Sequence, residues 1–211
     1  MSRPLLITDC DEVLLHMVAH FGAWLQETQE IDFLLDGPDF GEALVRRPHG
    51  EPVPPQEVWP LLDGFFATEM HRQTLVPHAR EALLRIGAIA DIVILTNLGW
   101  HCHAGRVAQL AALGIEHRVV CNQGGKGAPV ASLIEEFAPS AAVFVDDLPG
   151  HHESVAEHAP DVWRLHMVAE PALACHVGPA RFAHARIDDW AEASDWVVER
   201  LRAGTPAPPR P

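Results

Sequence analysis

The order of apolar and polar positions predicts a chain that alternates between strands and helices. Strands are predicted at residues 5–8, 91–96, 118–121, 141–145 and 162–167, and the run at 91–96 is almost continuously apolar, as is typical of a buried parallel strand. Helices are predicted between and after these strands, at 79–86, 103–113, 128–137, 151–157 and 188–201. This alternation implies an α/β fold whose parallel strands are joined by right-handed crossovers.

A different pattern interrupts the alternation after the first strand. Apolar residues at helical spacing predict a helix from Leu14 to about Glu27, and a second helix begins near Gln56. Between them, repeated glycines and prolines break regular structure. We therefore predict a helical insert at 15–77, a core formed by 1–14 and 78–204, and a disordered Pro-rich tail at 205–211.

Composition narrows the classes of function. The chain has 211 residues, and 48% of them are hydrophobic, which is enough to fill a core. Its net charge of -14 opposes binding to nucleic acid or to an anionic membrane. Four widely spaced cysteines without a Cys-x-x-Cys pair favour a reducing compartment, and neither a signal peptide nor a membrane span is visible. We expect a soluble, cytoplasmic protein of undetermined oligomeric state.

The first apolar run ends in two carboxylates one residue apart, Asp9 and Asp11. Acids this close repel each other, so the pair indicates a bound cation or one member held protonated. Taken alone, however, an Asp-x-Asp after a strand is more typical of a polar turn. The ends of the other strands decide between these interpretations.

Polar side chains of complementary kinds follow the other predicted strands. They are Thr96 and Asn97 after the second strand, Asp146 and Asp147 after the fourth, and Lys126 on a Gly-rich loop ahead of a helix. In a parallel sheet these residues gather at one edge. Carboxylate oxygens suit Mg²⁺, which often shares its coordination with a substrate phosphate. Thr96, nearby backbone amides and Lys126 can hold the phosphate oxygens, and Asn97 is a further candidate substrate contact.

These motifs, in this order, resemble the four motifs of the haloacid dehalogenase (HAD) superfamily, whose members are mostly magnesium-dependent phosphatases. The resemblance covers about residues 4–168 and rests on Asp9-Cys10-Asp11-Glu12-Val13-Leu14, Ile94-Leu95-Thr96-Asn97, Gly124-Gly125-Lys126-Gly127 and Val143-Phe144-Val145-Asp146-Asp147. It implies a Rossmann-like, three-layer α/β/α core with a parallel sheet. It also implies that the insert is a small α-helical cap that closes over the phosphate site.

The resemblance implies roles for the motif residues. Asp9 is the nucleophile that forms an aspartyl-phosphate, and Asp11 is the acid that protonates the leaving oxygen and then activates water. Asp9, the backbone carbonyl of Asp11 and Asp146 are implied magnesium ligands. Asp147 is a further ligand or a support for Lys126, which balances the negative charge. The acid at Asp11 argues against the true dehalogenases, which lack it and need no metal.

Several residues beside the motifs leave alternatives open. Glu12 stands where the family often has glycine, and it either restricts the leaving group or points at solvent. His16 and His20 share one helix face if the first helix starts at Leu14, and they are candidate substrate contacts, although a packed or surface pair is more common. Cys10 is expected to point away from the catalytic edge.

Two further groups of polar residues have competing interpretations. Arg46 and Arg47, in the irregular middle of the insert, either contact an anionic leaving group or lie in a solvated loop. His101-Cys102-His103 follows the second motif, but alternate residues at a helix start diverge and no second ligand pair is spaced for zinc. We therefore do not expect a zinc site there.

The sequence predicts a magnesium-dependent phosphatase that hydrolyses a small phosphorylated metabolite. A phosphomutase is the nearest alternative, because it uses the same nucleophile and acid but returns the phosphate to its substrate. A phospho-receiver module also combines an early acidic pair with a Thr and a Lys. A non-catalytic binding protein is the remaining alternative, since Glu12 departs from the family motif.

Overall fold

The computed structural model describes residues 2–34 and 43–209. The strands within these residues are β1 (Leu5–Thr8), β2 (Leu15–His16), β3 (Ile31–Phe33), β4 (Leu44–Arg46), β5 (Glu51–Pro52), β6 (Thr74–Leu75), β7 (Asp91–Thr96), β8 (Arg118–Cys121), β9 (Ala142–Asp146), β10 (Trp163–His166) and β11 (Ala185–Arg186). The α-helices are α1 (Val18–Thr28), α2 (Pro55–Thr68), α3 (Ala79–Gly87), α4 (His103–Ala112), α5 (Gly127–Phe137), α6 (Pro149–His158), α7 (Pro171–Ala174) and α8 (Trp190–Ala203).

The predicted α/β core with a parallel sheet is confirmed. Among the described residues, the main sheet has six strands in the order β11-β10-β9-β1-β7-β8, and every neighbouring pair is parallel. The predicted strands at 91–96 and 118–121 coincide with β7 and β8. Because β1 lies between β7 and β9, the strand order reverses at its carboxyl end, which is where open α/β sheets bind their ligands.

Helices cover both faces of this sheet, which explains the continuous apolar runs in its strands. Leu6 belongs to the cluster beneath α3, α4 and α8, whereas Leu5 and Ile7 belong to the cluster beneath α5 and α6. Trp190 of α8 is fully buried, and its indole N–H donates to the Val13 carbonyl at 2.8 Å. The core therefore has the three layers expected from the sequence.

The chain leaves the core after β1 and returns beside its point of departure. β2 pairs antiparallel with β6, with Leu15 opposite Leu75 and His16 opposite Thr74. Because residues 15–16 are extended, α1 begins at Val18 and not at the predicted Leu14. The division of the chain into a core and a cap at residues 14 and 78 stays a prediction.

The insert contains strands as well as the two predicted helices. β3, β4 and β5 form a small antiparallel sheet, which the sequence did not reveal because these strands are two or three residues long and lie among prolines and glycines. The insert also forms an apolar cluster, which extends to Leu98, Cys102 and Cys121 of the core. The Phe21 ring lies 5.5 Å from Phe65 and 6.0 Å from Trp24. Residues 35–42, within the predicted irregular stretch, lie outside the described residues.

Residues 205–209, for which composition predicts disorder, lie against the core. The Trp163 indole donates to the Thr205 carbonyl at 2.9 Å, and the Ala207 amide donates to the Asp161 carbonyl at 2.9 Å. The Ala207 side chain is buried. These hydrogen bonds order a Pro-rich segment for which composition alone predicts disorder. Residues 210–211 lie outside the described residues.

Two observations bear on the expectations from composition. All four cysteines are free thiols, and only Cys175 is exposed. Within the described residues, none of the helices combines the length and the apolar character that a membrane span requires.

Candidate active site

The carboxyl end of β1 brings three of the four motifs together. Asp9 directly follows β1, and Asp146 ends β9, the strand beside it. The fully buried ammonium nitrogen of Lys126 lies 2.8 Å from Asp9 Oδ1 and 2.7 Å from Asp146 Oδ2. Asp147 completes a group of three buried carboxylates whose ligand oxygens lie within 4.8 Å of one another. Lys126 forms its ion pairs with Asp9 and Asp146. These contacts do not support the alternative that Asp147 holds the lysine.

Close packing of two helices positions Lys126. The Gly127 amide, at the start of α5, donates to the Ser154 hydroxyl of α6 at 2.9 Å. A Cβ atom on Gly127 would lie 2.1 Å from the Ser154 carbonyl oxygen, so only glycine permits this approach. The glycine after Lys126 thus brings the lysine up against the end of β9.

The cluster holds more negative than positive charge. Burial raises the pKa of Asp9 to about 7, and the charges of Asp146 and Asp11 add to the increase that Lys126 opposes. Burial and the neighbouring Asp146 and Asp9 raise the pKa of Asp147 well above its ordinary value. Burial also acts to raise the pKa of Asp146, but Lys126 outweighs it and the net shift is downward. One lysine therefore compensates only part of the charge of three carboxylates.

This excess of negative charge fits a divalent cation. Asp9, Asp146 and Asp147 present hard oxygen donors that are close enough together to bind one ion, which is the donor type Mg²⁺ prefers. A bound cation would also lower the raised pKa values of Asp9 and Asp147. The side chain of Asp11 lies outside this group, so its predicted part in the metal site is restricted to the backbone carbonyl.

Asp11 turns away from the cluster and toward a buried arginine. The Arg106 guanidinium of α4 donates to both Asp11 carboxylate oxygens, at 2.8 and 2.9 Å. The Gln73 side-chain amide donates to Asp11 Oδ1 at 2.7 Å, and the Thr96 hydroxyl donates to Oδ2 at 3.4 Å. Thr96, predicted to hold phosphate, therefore directs its hydroxyl at Asp11 in this structure.

Arg106 was missed in the sequence, although its position in the pattern carries a signal. Cys102, Arg106 and Leu110 lie four residues apart on one face of the α4 region, and all three are buried. Arg106 is fully buried, its guanidinium lies 5.5 Å from the Phe66 ring of the insert, and it donates to Cys10 Sγ at 3.3 Å. An arginine on an apolar helix face requires a buried partner, and that partner is the second acid of the first motif.

Glu12 is buried and does not point at solvent. Its backbone has a φ of +59°, a left-handed conformation that favours glycine. The carboxylate accepts hydrogen bonds from the amides of Met17 and Val18, at 2.7 and 2.6 Å, where α1 begins. Burial raises the pKa of Glu12 to about 7, although these two hydrogen bonds oppose the increase. Glu12 therefore stands at a position whose backbone favours glycine, and its side chain is hydrogen-bonded to the insert.

A cavity of about 470 Å³ lies between the insert and the carboxyl edge of the sheet, and we call it the chamber. Asp9, Asp11, Glu12 and Asp147 line its acidic side. The insert contributes apolar side chains, including Met17, Val18, Phe33, Trp59, Leu62 and Phe66. The core contributes Leu148, Val168, Leu173 and Val177. The chamber therefore connects the carboxylate cluster with a largely apolar wall.

Two neutral polar residues also line the chamber. The Asn97 side-chain amide donates to the Gly124 carbonyl at 2.9 Å and lies 3.3 Å from His151 Nε2. Burial lowers the pKa of His151, which opposes its carrying a positive charge. Asn97, a predicted substrate contact, thus lines the chamber together with His151, for which the sequence indicates no role.

The structure does not bring His16 and His20 to the chamber wall. His16 lies on β2, with Nδ1 3.5 Å from Glu170 Oε2. His20 lies on α1, with Nε2 3.0 Å from the Thr74 hydroxyl. The helix begins after His16, so the two histidines do not share the helix face on which their predicted role depended.

Other candidate residues make local contacts. Arg46 pairs with Glu57, and Arg47 pairs with Asp32. Neither arginine is among the described residues that line the chamber. The ring N–H of His103 donates to the Val119 carbonyl at 3.2 Å.

The neighbouring His101 turns toward the insert and away from His103. Its Nε2 lies 3.2 Å from Asp63 Oδ1 of α2. The two histidines around Cys102 therefore diverge, as expected at the start of a helix.

No family model matches the chain, and no curated protein matches it in sequence. Solved structures do match its fold. A HAD-superfamily hydrolase of subfamily IA from Geobacter sulfurreducens is 17% identical with a TM-score of 0.60, over 92% of this chain and 96% of that one. A 2-haloacid dehalogenase from Pseudomonas syringae is 13% identical with a TM-score of 0.55, over 94% and 99%.

A third structure, from Bacillus subtilis, belongs to a protein assigned to the HAD hydrolases and was solved with bound magnesium. It is 13% identical with a TM-score of 0.64, over 93% of this chain and 99% of that one. At such identities the similarity shows a shared fold. The chain therefore has the fold of the HAD-superfamily hydrolases, as its motifs predict.

Proposed function

We propose that this protein is a HAD-superfamily phosphatase that uses magnesium to hydrolyse a small phosphorylated metabolite through an aspartyl-phosphate. The observation that carries the proposal is the group of Asp9, Asp146 and Asp147 around the buried ammonium of Lys126. The magnesium bound to the Bacillus subtilis protein of the same fold supports the choice of metal.

Asp9 is the proposed nucleophile. The Cys10 amide and the Lys126 ammonium both donate to Oδ1, at 2.7 and 2.8 Å, so we assign the attack to Oδ2. Attack on phosphorus breaks the bond to the ester oxygen and forms the aspartyl-phosphate. Asp9, Asp146 and Asp147 would hold the magnesium ion, which would neutralise part of the phosphate charge. Lys126 holds the attacking carboxylate in place throughout.

Asp11 must move to serve as the acid. In the structure its carboxylate is occupied by Arg106, Gln73 and Thr96, and it lies outside the carboxylate cluster. Protonation of the leaving oxygen requires that Asp11 leave this ion pair and rotate toward Asp9. Gln73 belongs to the returning end of the insert, so a shift of the insert would release one of these hydrogen bonds. The same carboxylate then accepts a proton from the water that hydrolyses the aspartyl-phosphate.

The test is hydrolysis of 4-nitrophenyl phosphate and of a broader panel of phosphate esters, with and without magnesium. We expect activity that depends on magnesium and falls by at least about 10³-fold in Asp9→Asn, because the nucleophile is lost. Trapping of phosphate on the wild-type chain, and its absence from Asp9→Asn, would identify the intermediate. Equal inactivity of both proteins across the panel would refute the proposal, whereas transfer of phosphate within a sugar phosphate would establish a mutase.

A further inference from the structure

Apart from the carboxylates, the chamber wall consists mostly of apolar side chains, which come from both the insert and the core. Phe33, Leu62 and Phe66 come from the insert, and Leu148 and Val168 come from the core. The volume of the chamber, about 470 Å³, lies within the range of about 300–1,000 Å³ that small-molecule sites occupy. The space beside the nucleophile is therefore large enough for a leaving group of substantial size.

We propose that the leaving group is uncharged and apolar, an aryl or branched alkyl alcohol and not a sugar, and that it occupies this chamber. The proposal rests on the phosphatase function above and names its class of substrate. The phosphate would lie against Asp9 and the metal ligands, while the organic group would face the apolar wall. Burial of that group would supply the binding free energy that selects the substrate.

The charges around the chamber oppose an anionic leaving group. The described lining residues include Asp9, Asp11, Glu12 and Asp147, but no lysine or arginine. The nearby cation Lys126 is already held by two carboxylates. A carboxylate or a second phosphate on the substrate would therefore meet repulsion without a compensating positive charge.

The arrangement of hydrogen bonds opposes a sugar. A sugar requires several donors and acceptors along the wall, because each hydroxyl group that loses water must find a partner. Among the described lining residues outside the acidic side, the polar side chains are Asn97, His151 and the exposed His176, and Trp59 adds one indole N–H donor. The Asn97 amide already donates to the Gly124 carbonyl, at 2.9 Å. A hydrocarbon surface matches this wall, whereas a polyol would lose hydrogen bonds on entering it.

The test compares esters that differ only in the leaving group. We expect kcat/KM to rise about fourfold for each methylene added from methyl to butyl phosphate, and to be higher for 2-naphthyl phosphate than for glucose 6-phosphate. A matched pair isolates charge, since 4-methylphenyl and 4-carboxyphenyl phosphate have similar shapes. We expect the carboxylated ester to be at least tenfold poorer.

A paired substitution locates the effect in the chamber. Leu62→Lys places a cation in the wall and should reduce the preference for 4-methylphenyl over 4-carboxyphenyl phosphate at least tenfold. Leu84→Lys, on an exposed leucine of α3, is the matched control and should leave the preference unchanged. Calorimetric binding of phenylphosphonate and methylphosphonate gives a second readout that needs no turnover, and phenylphosphonate should bind more tightly.

The outcomes separate the two proposals. Hydrolysis of glucose 6-phosphate or of the 4-carboxyphenyl ester at least as fast as their apolar counterparts would overturn this inference and leave the phosphatase intact. Equal binding of the two phosphonates would also overturn it. Failure to hydrolyse any ester would overturn the proposed function, and the substrate class with it.

Discussion

The carboxylate cluster and the apolar wall line the same chamber, but they are built in contrasting ways. On the sheet edge, Asp9, Lys126 and Asp146 are held in fixed ion pairs by β1, β9 and the start of α5. On the wall, side chains such as Leu62 and Trp59 offer surface area and no charge. The sheet edge therefore depends on particular charged groups at particular distances, whereas the wall requires only an apolar surface of suitable shape.

This contrast separates the residues that carry out the proposed reaction from those that select the substrate. A change in the cluster leaves a buried charge without its partner, so it should affect folding and turnover together. A change on the exposed part of the wall removes apolar contact with substrate and leaves the buried charges in place. The predictions below test that separation, from the largest expected effect to the smallest.

Lys126→Met should lower the free energy of unfolding by about 3–5 kcal/mol, because Asp9 and Asp146 would remain buried without their cation. The measurement is urea denaturation. Arg118→Met is the control, since Arg118 pairs with Glu136 at the surface, and its loss should cost less than about 1 kcal/mol. Similar losses in both variants would show that the buried cluster is not coupled as its geometry indicates.

Asp11 and Arg106 should behave as a coupled pair. We expect each of Asp11→Asn and Arg106→Met to destabilise the protein by about 2–4 kcal/mol, because each leaves a largely buried charged partner. The double variant should lose less than the sum, with a coupling energy of about 1–3 kcal/mol in a double-mutant cycle. Additive losses would mean that the ion pair contributes little to stability.

His152, beneath the cluster, should make stability depend on pH. Burial lowers its pKa from 6.5 to about 4, although Asp146 opposes the shift, so the folded protein keeps the ring neutral. Below pH 6.5 the unfolded chain binds a proton that the folded chain does not, and stability is lost progressively as the pH falls to about 4.

The shift in the pKa of His152 corresponds to a loss of about 3 kcal/mol in the free energy of unfolding. Asp9 and Glu12 have raised pKa values and act in the opposite direction, so the measurement is the difference between wild type and His152→Gln. The stability of wild type relative to His152→Gln should be about 2–3 kcal/mol lower at pH 4.5 than at pH 7. A difference that does not change with pH would contradict the assigned burial of His152.

Trp59→Ala should change stability by less than about 0.5 kcal/mol, because the side chain is 69% exposed. It should nevertheless raise KM for an aryl phosphate about threefold or more while kcat stays within about twofold, since an aromatic contact at the chamber is lost. Trp100→Ala is the control, because Trp100 is 70% exposed and does not line the chamber. Equal effects of the two substitutions on KM would remove Trp59 from the substrate site.

The sequence predicts the sheet edge better than the wall for a physical reason. β1 and β9 are apolar runs that lead directly into Asp9 and Asp146, and the parallel pairing of these two strands brings the two acids together. The apolar residues of the insert, in contrast, satisfy the same helical spacing whether they face its own core or the chamber. Their periodicity therefore does not distinguish a structural side chain from one that contacts substrate.

The predictions that fail have two causes, local backbone geometry and contacts between residues that are distant in sequence. The pattern predicts that the first helix begins at Leu14, but Leu15 and His16 form β2, which separates His16 from His20. Arg106 was missed because a charged residue is ordinarily assigned to the solvent side of a helix. Its partner Asp11 lies 95 residues away in sequence, and only the folded chain places the two side chains in contact.

Glu12 also determines how separable the two parts of this molecule are. β2 and β6 lie side by side, so a short turn could replace the insert on the backbone alone. Removing the insert, however, would take away the Met17 and Val18 amides and leave the buried Glu12 carboxylate without them. A minimal core would therefore need glycine at this position, which the φ of +59° favours. A chimera that exchanges caps between proteins of this fold must transfer residue 12 together with the cap.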